Sequence, residues 1–190
     1  MATSRFAMVI DLRRCIGCHA CSVACKAEHG VPLGVWRQWV KVVERGHFPE
    51  VKVSFLPLMC NHCDRPPCVT VCPVKATWKR EDGVVVIDPH RCIGCRYCIV
   101  ACPYQMRYLN PLTHTAEKCD WCASRLSRGQ MPACVEACPT GALVFGDLKD
   151  EGSEVSLLLS RYPFQTLRPE MGTYPHNYYI DLDIEAVEAR

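Results

Sequence analysis

The stretch Cys92-Ile93-Gly94-Cys95-Arg96-Tyr97-Cys98-Ile99-Val100-Ala101-Cys102-Pro103 sets three cysteines at two-residue intervals, adds a fourth after three more residues, and closes on proline. The same run opens the chain at Cys15, Cys18, Cys21 and Cys25, with Lys26 where the proline would stand. Two stretched versions complete the set: Cys60, Cys63, Cys68 and Cys72 before Pro73, and Cys119, Cys122, Cys134 and Cys138 before Pro139. All 16 cysteines of the 190-residue chain thus fall into four groups of four. A [4Fe–4S] cube takes four thiolates, and runs of this spacing supply them. The expectation is four [4Fe–4S] clusters, with all sixteen cysteines as iron ligands.

Two other uses of cysteine are weaker. A secreted disulfide scaffold would reach this cysteine density. It scatters its half-cystines among loops to be closed, whereas every group here contains a tight Cys-x-x-Cys suited to gripping an ion. Zinc could be held by two such pairs, but zinc explains neither the third cysteines Cys21 and Cys98 nor the three Cys-Pro steps.

The composition is 49% hydrophobic with 8% aromatic residues, and the 16 cysteines are counted among the hydrophobic ones. The organic core is thin for one large or two small domains, so metal binding should help hold the fold and the apoprotein should fold poorly. The formal charge of +2 falls to about −6 once four oxidised clusters, each about −2 with their thiolates, are in place. Such a balance does not favour nucleic acid. No run of 18 apolar residues occurs, so any contact with quinone or lipid needs a partner. The start Met1-Ala-Thr-Ser-Arg-Phe-Ala-Met-Val-Ile10 shows no cleavable apolar region. Arg13-Arg14 is followed by Cys15-Ile16-Gly17-Cys18 instead of an export signal's apolar stretch, so it reads as structural.

The chain reads as a repeat within a repeat, of α+β class, with short strands, short helices and a β-hairpin insertion. Residues 60–118 form one two-cluster module, with a turn at Asp82-Gly83 and a strand over Val84 to Ile87. Residues 1–25 and 119–150 form a second, split module, closed if strand Phe6 to Ile10 pairs with strand Ala142 to Phe145. Residues 26–59 are an insertion with strands Trp36 to Val43 and Val51 to Phe55 around Gly46. Residues 151–190 are a C-terminal extension packing on the core or on a partner.

In each group the last two cysteines are four residues apart, which on a helix puts them on successive turns about 6 Å apart along the axis. One helix then serves two cubes, the last cysteine reaching the cluster of the paired motif. Cluster A is assigned to Cys15, Cys18, Cys21 and Cys138, and cluster B to Cys25, Cys119, Cys122 and Cys134. Cluster C takes Cys60, Cys63, Cys68 and Cys102, and cluster D takes Cys72, Cys92, Cys95 and Cys98. Gly17 and Gly94 bring backbone amides close to sulfur. The Cys-Pro steps stop the ligand helix, a stop that Lys26 does not provide. Trp121, Met59, Met106 and Met131 read as packing near ligands, and His62 as a packing or surface residue.

No Gly-x-Gly-x-x-Gly fingerprint, phosphate-binding loop or nucleophile elbow is present, so no catalytic residue is assigned and the chain should move electrons between sites on other subunits. The four motifs in this order, with Cys60-Asn-His-Cys-Asp-Arg-Pro-Pro-Cys68, Cys92-Ile-Gly-Cys-Arg-Tyr-Cys98, Ala101-Cys-Pro-Tyr104 and Pro132-Ala-Cys-Val-Glu-Ala-Cys-Pro139, resemble the iron–sulfur beta subunit of the dimethyl sulfoxide, polysulfide and tetrathionate reductase family. The resemblance extends to Phe145-Gly-Asp-Leu148 and Leu167-Arg-Pro-Glu-Met-Gly-Thr173. Cys72-Pro-Val-Lys-Ala-Thr77 with Arg80-Glu-Asp-Gly83 resembles the tetrathionate and polysulfide branch.

The resemblance implies ferredoxin-like modules and a bridge between a molybdopterin-containing catalytic subunit, next to cluster A, and a membrane-embedded quinone-binding subunit, next to cluster D. It implies a place in anaerobic respiration, peripheral on the membrane through a partner, on the extracytoplasmic face. Cys95 stands where some relatives lack a cysteine, so four cubes are expected. An electron-transfer subunit of a formate dehydrogenase or hydrogenase would carry the same motifs.

Overall fold

A computed structural model describes residues 4–188; the first three residues of the N-terminal reading lie outside it. In chain order the elements are β1 (Phe6–Asp11), α1 (Ala20–His29), β2 (Gln38–His47), β3 (Glu50–Met59), α2 (Pro67–Thr70), β4 (Thr77–Lys79), β5 (Val85–Ile87), α3 (Tyr97–Val100), β6 (Tyr108–Leu109), β7 (Ala116–Glu117), α4 (Ala123–Leu126), α5 (Ala133–Glu136), β8 (Leu143–Asp147), α6 (Glu154–Arg161), β9 (Phe164–Gln165), β10 (Asn177–Ile180) and α7 (Ile184–Glu188). The fold is α+β, with short elements joined by cysteine-bearing loops.

The only long apolar run near the start, Phe6 to Ile10, is continuous rather than alternating, which suits a strand covered on both faces. It becomes β1, the second strand of a sheet ordered β8-β1-β10-β9. β1 pairs antiparallel with β8, Met8 opposite Phe145 and Ile10 opposite Leu143. This is the pairing expected of the two flanking segments. Because side chains alternate along a strand, Met8 and Ile10 face the cysteine-rich core with Leu143, Phe145, Trp121 and Tyr179. Ala7 and Val9 face the opposite side, where Val144, Ile180 and Val155 of α6 cover them. Helix α6 starts at Ser153, whose hydroxyl accepts the Ser156 amide at 3.2 Å as an N-cap.

The C-terminal segment does more than pack against the core. β10 runs parallel to β1, Ile10 opposite Tyr179. Just before it, residues 173–176 hydrogen-bond along the second motif: the Asp64 amide reaches the Tyr174 carbonyl at 2.9 Å and the His176 amide reaches that of Asn61 at 2.8 Å.

The insertion is a ten-by-ten-residue hairpin, β2 against β3, from Gln38 opposite Met59 to His47 opposite Glu50. It is longer than the sequence pattern indicated, starts at Gln38 instead of Trp36, and turns between His47 and Glu50 instead of around Gly46. Gly46 lies one pair before the turn with φ +96°, and a β-carbon there would collide with the Glu50 carbonyl oxygen. It permits the turn without forming it. Helix α1 also continues past Cys25 to His29 and is capped by Gly30 at φ +55°. The insertion therefore leaves the helix later than residue 26.

Candidate iron–sulfur centres

The four motifs share one backbone geometry. In the first Cys-x-x-Cys of each motif the residue before the second cysteine is left-handed: Gly17 at φ +68°, His62 at +44°, Gly94 at +67° and Trp121 at +51°. Residues with a β-carbon adopt this region only where packing over-determines them. His62 and Trp121 are buried and stacked on each other, ring centroids 3.9 Å apart. The loop of the second motif is thereby clamped to that of the fourth.

A second repeat follows the last cysteine. Cys72, Cys102 and Cys138 precede prolines, which disfavours helical backbone for the residue before the ring. The helices α2, α3 and α5 accordingly each end two residues before these cysteines, which refines the expectation of two cysteines on successive helical turns. Only Cys21 and Cys25, followed by Lys26, both lie on a helix. After each proline comes a turn in which Lys75, Gln105 or Gly141 is left-handed and donates its amide to the carbonyl of Cys72, Cys102 or Cys138 at 3.2–3.3 Å. The next amides, of Ala76 and Ala142, then reach the sulfurs of Cys72 and Cys138, both at 3.2 Å.

These turns bring distant cysteines together. Cys15, Cys18, Cys21 and Cys138 line one cavity, closed by Ile16, Val40, Pro57 and Leu143. Cys60, Cys63, Cys68 and Cys102 line another, closed by Pro67, Val85, Tyr104 and Met106. Cys25, Cys119, Cys122 and Cys134 lie near one another in the interior: burial raises the Cys119 thiol well above its ordinary range, and the fields of Cys25 and Cys134 add to the rise. Cys92 and Cys98 pack with Cys68 and Ala116. Cys72 sits just beyond α2, and Cys95 is exposed. Among the described residues no three His, Cys, Asp or Glu side chains gather as tightly as a single metal ion would draw them.

The donor chemistry fits clusters. Burial pushes Cys25 and Cys63 up to about 12 and Cys68 to about 11, so these thiols stay protonated unless a metal takes the proton's place. At Cys72 and Cys138 burial acts in the same sense, but converging N–H groups outweigh it and lower both thiols. Cys18 and Cys95 are exposed while seven of the eight cysteines assigned to B and C are buried, Cys102 being half-buried.

Several polar residues around the sulfurs carry no sequence signal beyond proximity. Gln38 donates to the Cys21 sulfur at 3.1 Å, His29 lies 3.2 Å from that of Cys122, and Arg107 donates to Cys68 at 2.9 Å. Thr173 bonds Tyr104 at 2.5 Å, and a hydrogen bond from it to Cys63 opposes the rise that burial imposes on that thiol. This gives the quoted Leu167 to Thr173 stretch a place at the site. Met59, Met106 and Trp121 pack in the core as expected, whereas Met131 is exposed. His62 is a packing residue whose Nδ1 accepts the Val85 amide at 3.0 Å. Gly17 also makes room for the Phe55 ring, and a β-carbon on Gly94 would stand 2.5 Å from the His114 carbonyl oxygen.

The 4Fe-4S dicluster domain family matches residues 51–148, and a second family of the same description matches residues 14–76. The sequence is 51% identical to the B subunit of tetrathionate reductase from Salmonella typhimurium, covering 94% of this chain and 73% of that protein. It belongs to the iron–sulfur beta subunits of the tetrathionate, polysulfide and dimethyl sulfoxide reductase family. The B polypeptide of polysulfide reductase from Wolinella succinogenes is 43% identical over 93% of this chain and 94% of that one. The thiosulfate reductase electron transfer subunit PhsB of Salmonella typhi is 48% identical over 78% and 79%. As a member of this family the chain is an electron-transfer subunit of a multi-subunit reductase, and its two dicluster domains with 16 cysteines carry four [4Fe–4S] clusters. No helix among the described residues is long and apolar enough to cross a membrane.

Proposed function

We propose that the chain relays electrons between a membrane-embedded quinone-binding subunit and a molybdopterin-containing catalytic subunit of a respiratory oxidoreductase of the tetrathionate or polysulfide type. It would be held at the extracytoplasmic face through its partner. The proposed ligand sets are those of the sequence: A from Cys15, Cys18, Cys21 and Cys138, B from Cys25, Cys119, Cys122 and Cys134, C from Cys60, Cys63, Cys68 and Cys102, and D from Cys72, Cys92, Cys95 and Cys98. The proposed modules are nested, 60–118 within a frame of 1–25 and 119–150, with 26–59 and 151–190 as additions.

One observation carries this reading: the burial of the cysteines is graded from end to end. Cys18 in set A and Cys95 in set D are exposed, whereas the cysteines of B and C are buried or half-buried. Cys21 and Cys25 on α1 join A to B. Cys68 beside Cys98 and Cys92 joins C to D, and the His62–Trp121 stack joins the second motif to the fourth. That is the form of a wire with two accessible ends and a dry middle. At the A end Ile16, and at the D end Ile93, Tyr97 and Val100, are exposed apolar side chains beside the outermost cysteines, as a partner surface requires. The clusters supply one-electron chemistry. The protein holds the thiolates, excludes water from B and C, and presents A and D to neighbours.

The test uses the assembled complex. Cys95→Ala should cost most of the quinol-linked activity and leave activity from an artificial donor to the catalytic subunit largely intact. Cys18→Ala should instead damage centre A, beside the catalytic subunit, and leave the signal of D in place. Equal loss of both in Cys95→Ala, with normal assembly and intact signals from A and B, would refute the order.

A further inference from the structure

Arg107 is 5% exposed and lines the cavity of Cys60, Cys63, Cys68 and Cys102. Its Nη2 donates to the Cys68 sulfur at 2.9 Å and to the Thr77 hydroxyl at 3.1 Å. Its Nη1 is buried with no hydrogen-bond partner. A buried guanidinium needs an anion, since an uncompensated interior charge is strongly destabilising. No carboxylate pairs with it among the described ion pairs; burial opposes its charge, and the groups that favour it are Cys68, Cys60 and Cys98. Two of these belong to set C and one to set D, so the cation stands between the two.

Among the described contacts no other arginine or lysine donates to a cysteine sulfur, and Arg37, whose charge reaches Cys25 of set B, is paired with Glu117 at 3.0 Å and Asp120 at 3.7 Å. The Cys21 sulfur of set A receives a neutral amide from Gln38. In set B, His29 beside Cys122 lies 3.8 Å from the Asp120 carboxylate. In set D, Cys72 and Cys92 receive backbone amides from Ala76 and Ala116. The other buried cation nearby, Lys118, spends its ammonium on the carbonyls of Val85 and Cys119. Net charge and hydrogen bonds to sulfur set the reduction potential of an iron–sulfur centre. A reduced centre carries one more negative charge, which a cation in contact with its thiolate stabilises.

We propose that Arg107 is the positioning residue that raises the reduction potential of the centre held by Cys60, Cys63, Cys68 and Cys102, drawing the electron onto it from the neighbour held in part by Cys98. The proposal rests on the ligand sets given above. Its test is a redox titration of the assembled complex, following the electron paramagnetic resonance signals of the four reduced centres. In Arg107→Gln one signal should lose at least tenfold in its tendency to hold the electron, about 59 mV for a one-electron couple. A second signal should fall by less, and two should stay in place. Arg107→Lys keeps the charge and loses the forked hydrogen bonds, so it should lie between.

Cys63→Ser identifies the signal of set C. If it perturbs a signal other than the one Arg107→Gln shifts, the ligand sets fail, and with them the assignment of Arg107 to that centre. Four unchanged potentials at full iron content in Arg107→Gln, or an equal shift of all four, overturn the tuning role itself. If Arg107→Gln cannot retain iron, Arg107→Lys decides: a smaller downward shift confined to the set C signal supports the proposal, and four unchanged potentials overturn it.

Discussion

Replacing Gly94 with Ala separates two demands that the cysteine loops place on the chain, left-handed backbone and close approach. Gly94 lies at φ +67°, and a β-carbon there would stand 2.5 Å from the His114 carbonyl oxygen. Gly129 lies at φ +71° with nothing within 4 Å of the same atom. Both substitutions incur the left-handed cost of a residue with a β-carbon, about 1–2 kcal/mol. Only Gly94→Ala adds overpacking against backbone, about 1–3 kcal/mol more. Domains that lose a metal centre on unfolding are compared by rate, so the assay is loss of visible cluster absorbance at a fixed elevated temperature. If the extra cost appears in the barrier, Gly94→Ala bleaches about 5- to 150-fold faster than Gly129→Ala. Because Gly94 lies between Cys92 and Cys95, iron should be lost first from the centre those cysteines are proposed to hold. Equal bleaching rates in the two variants would refute the close-approach argument.

Two further outcomes are expected. Protein purified without oxygen should contain about 16 iron and about 16 acid-labile sulfide per chain, because four cubes each bring four of both; stoichiometric zinc with little sulfide would overturn the cluster reading. Trp121→Ala, which empties the stack with His62 and the edge contact to Phe145 at 5.3 Å, should cost about 3–5 kcal/mol, roughly 6–20 °C in the onset of thermal bleaching for a protein of this size. Trp121→Phe should cost less, and equal effects of the two would show that the stack contributes nothing.

Cysteine spacing alone made the cluster number legible, because the geometry of a cube and of one helical turn admits few separations between ligands. The Cys-Pro steps announced where α2, α3 and α5 end, and Lys26 announced why α1 does not, since the proline ring acts on the residue before it wherever the chain goes next. The pairing of β1 with β8 was also legible, from two apolar segments flanking the outer motifs. Tertiary structure decided the rest. Nothing local told that residues 177–180 would run parallel to β1, or that Thr173 would reach the second motif from more than a hundred residues away. The left-handed backbone of His62 and Trp121 has no residue-type signature, unlike that of Gly17 and Gly94, and goes with the packing of the two stacked rings in the core. Arg107 stands five residues after Cys102 in a segment without periodicity. Its burial against Cys68 follows from long-range packing, because a charge is kept in the interior only where the fold delivers a counter-charge to it.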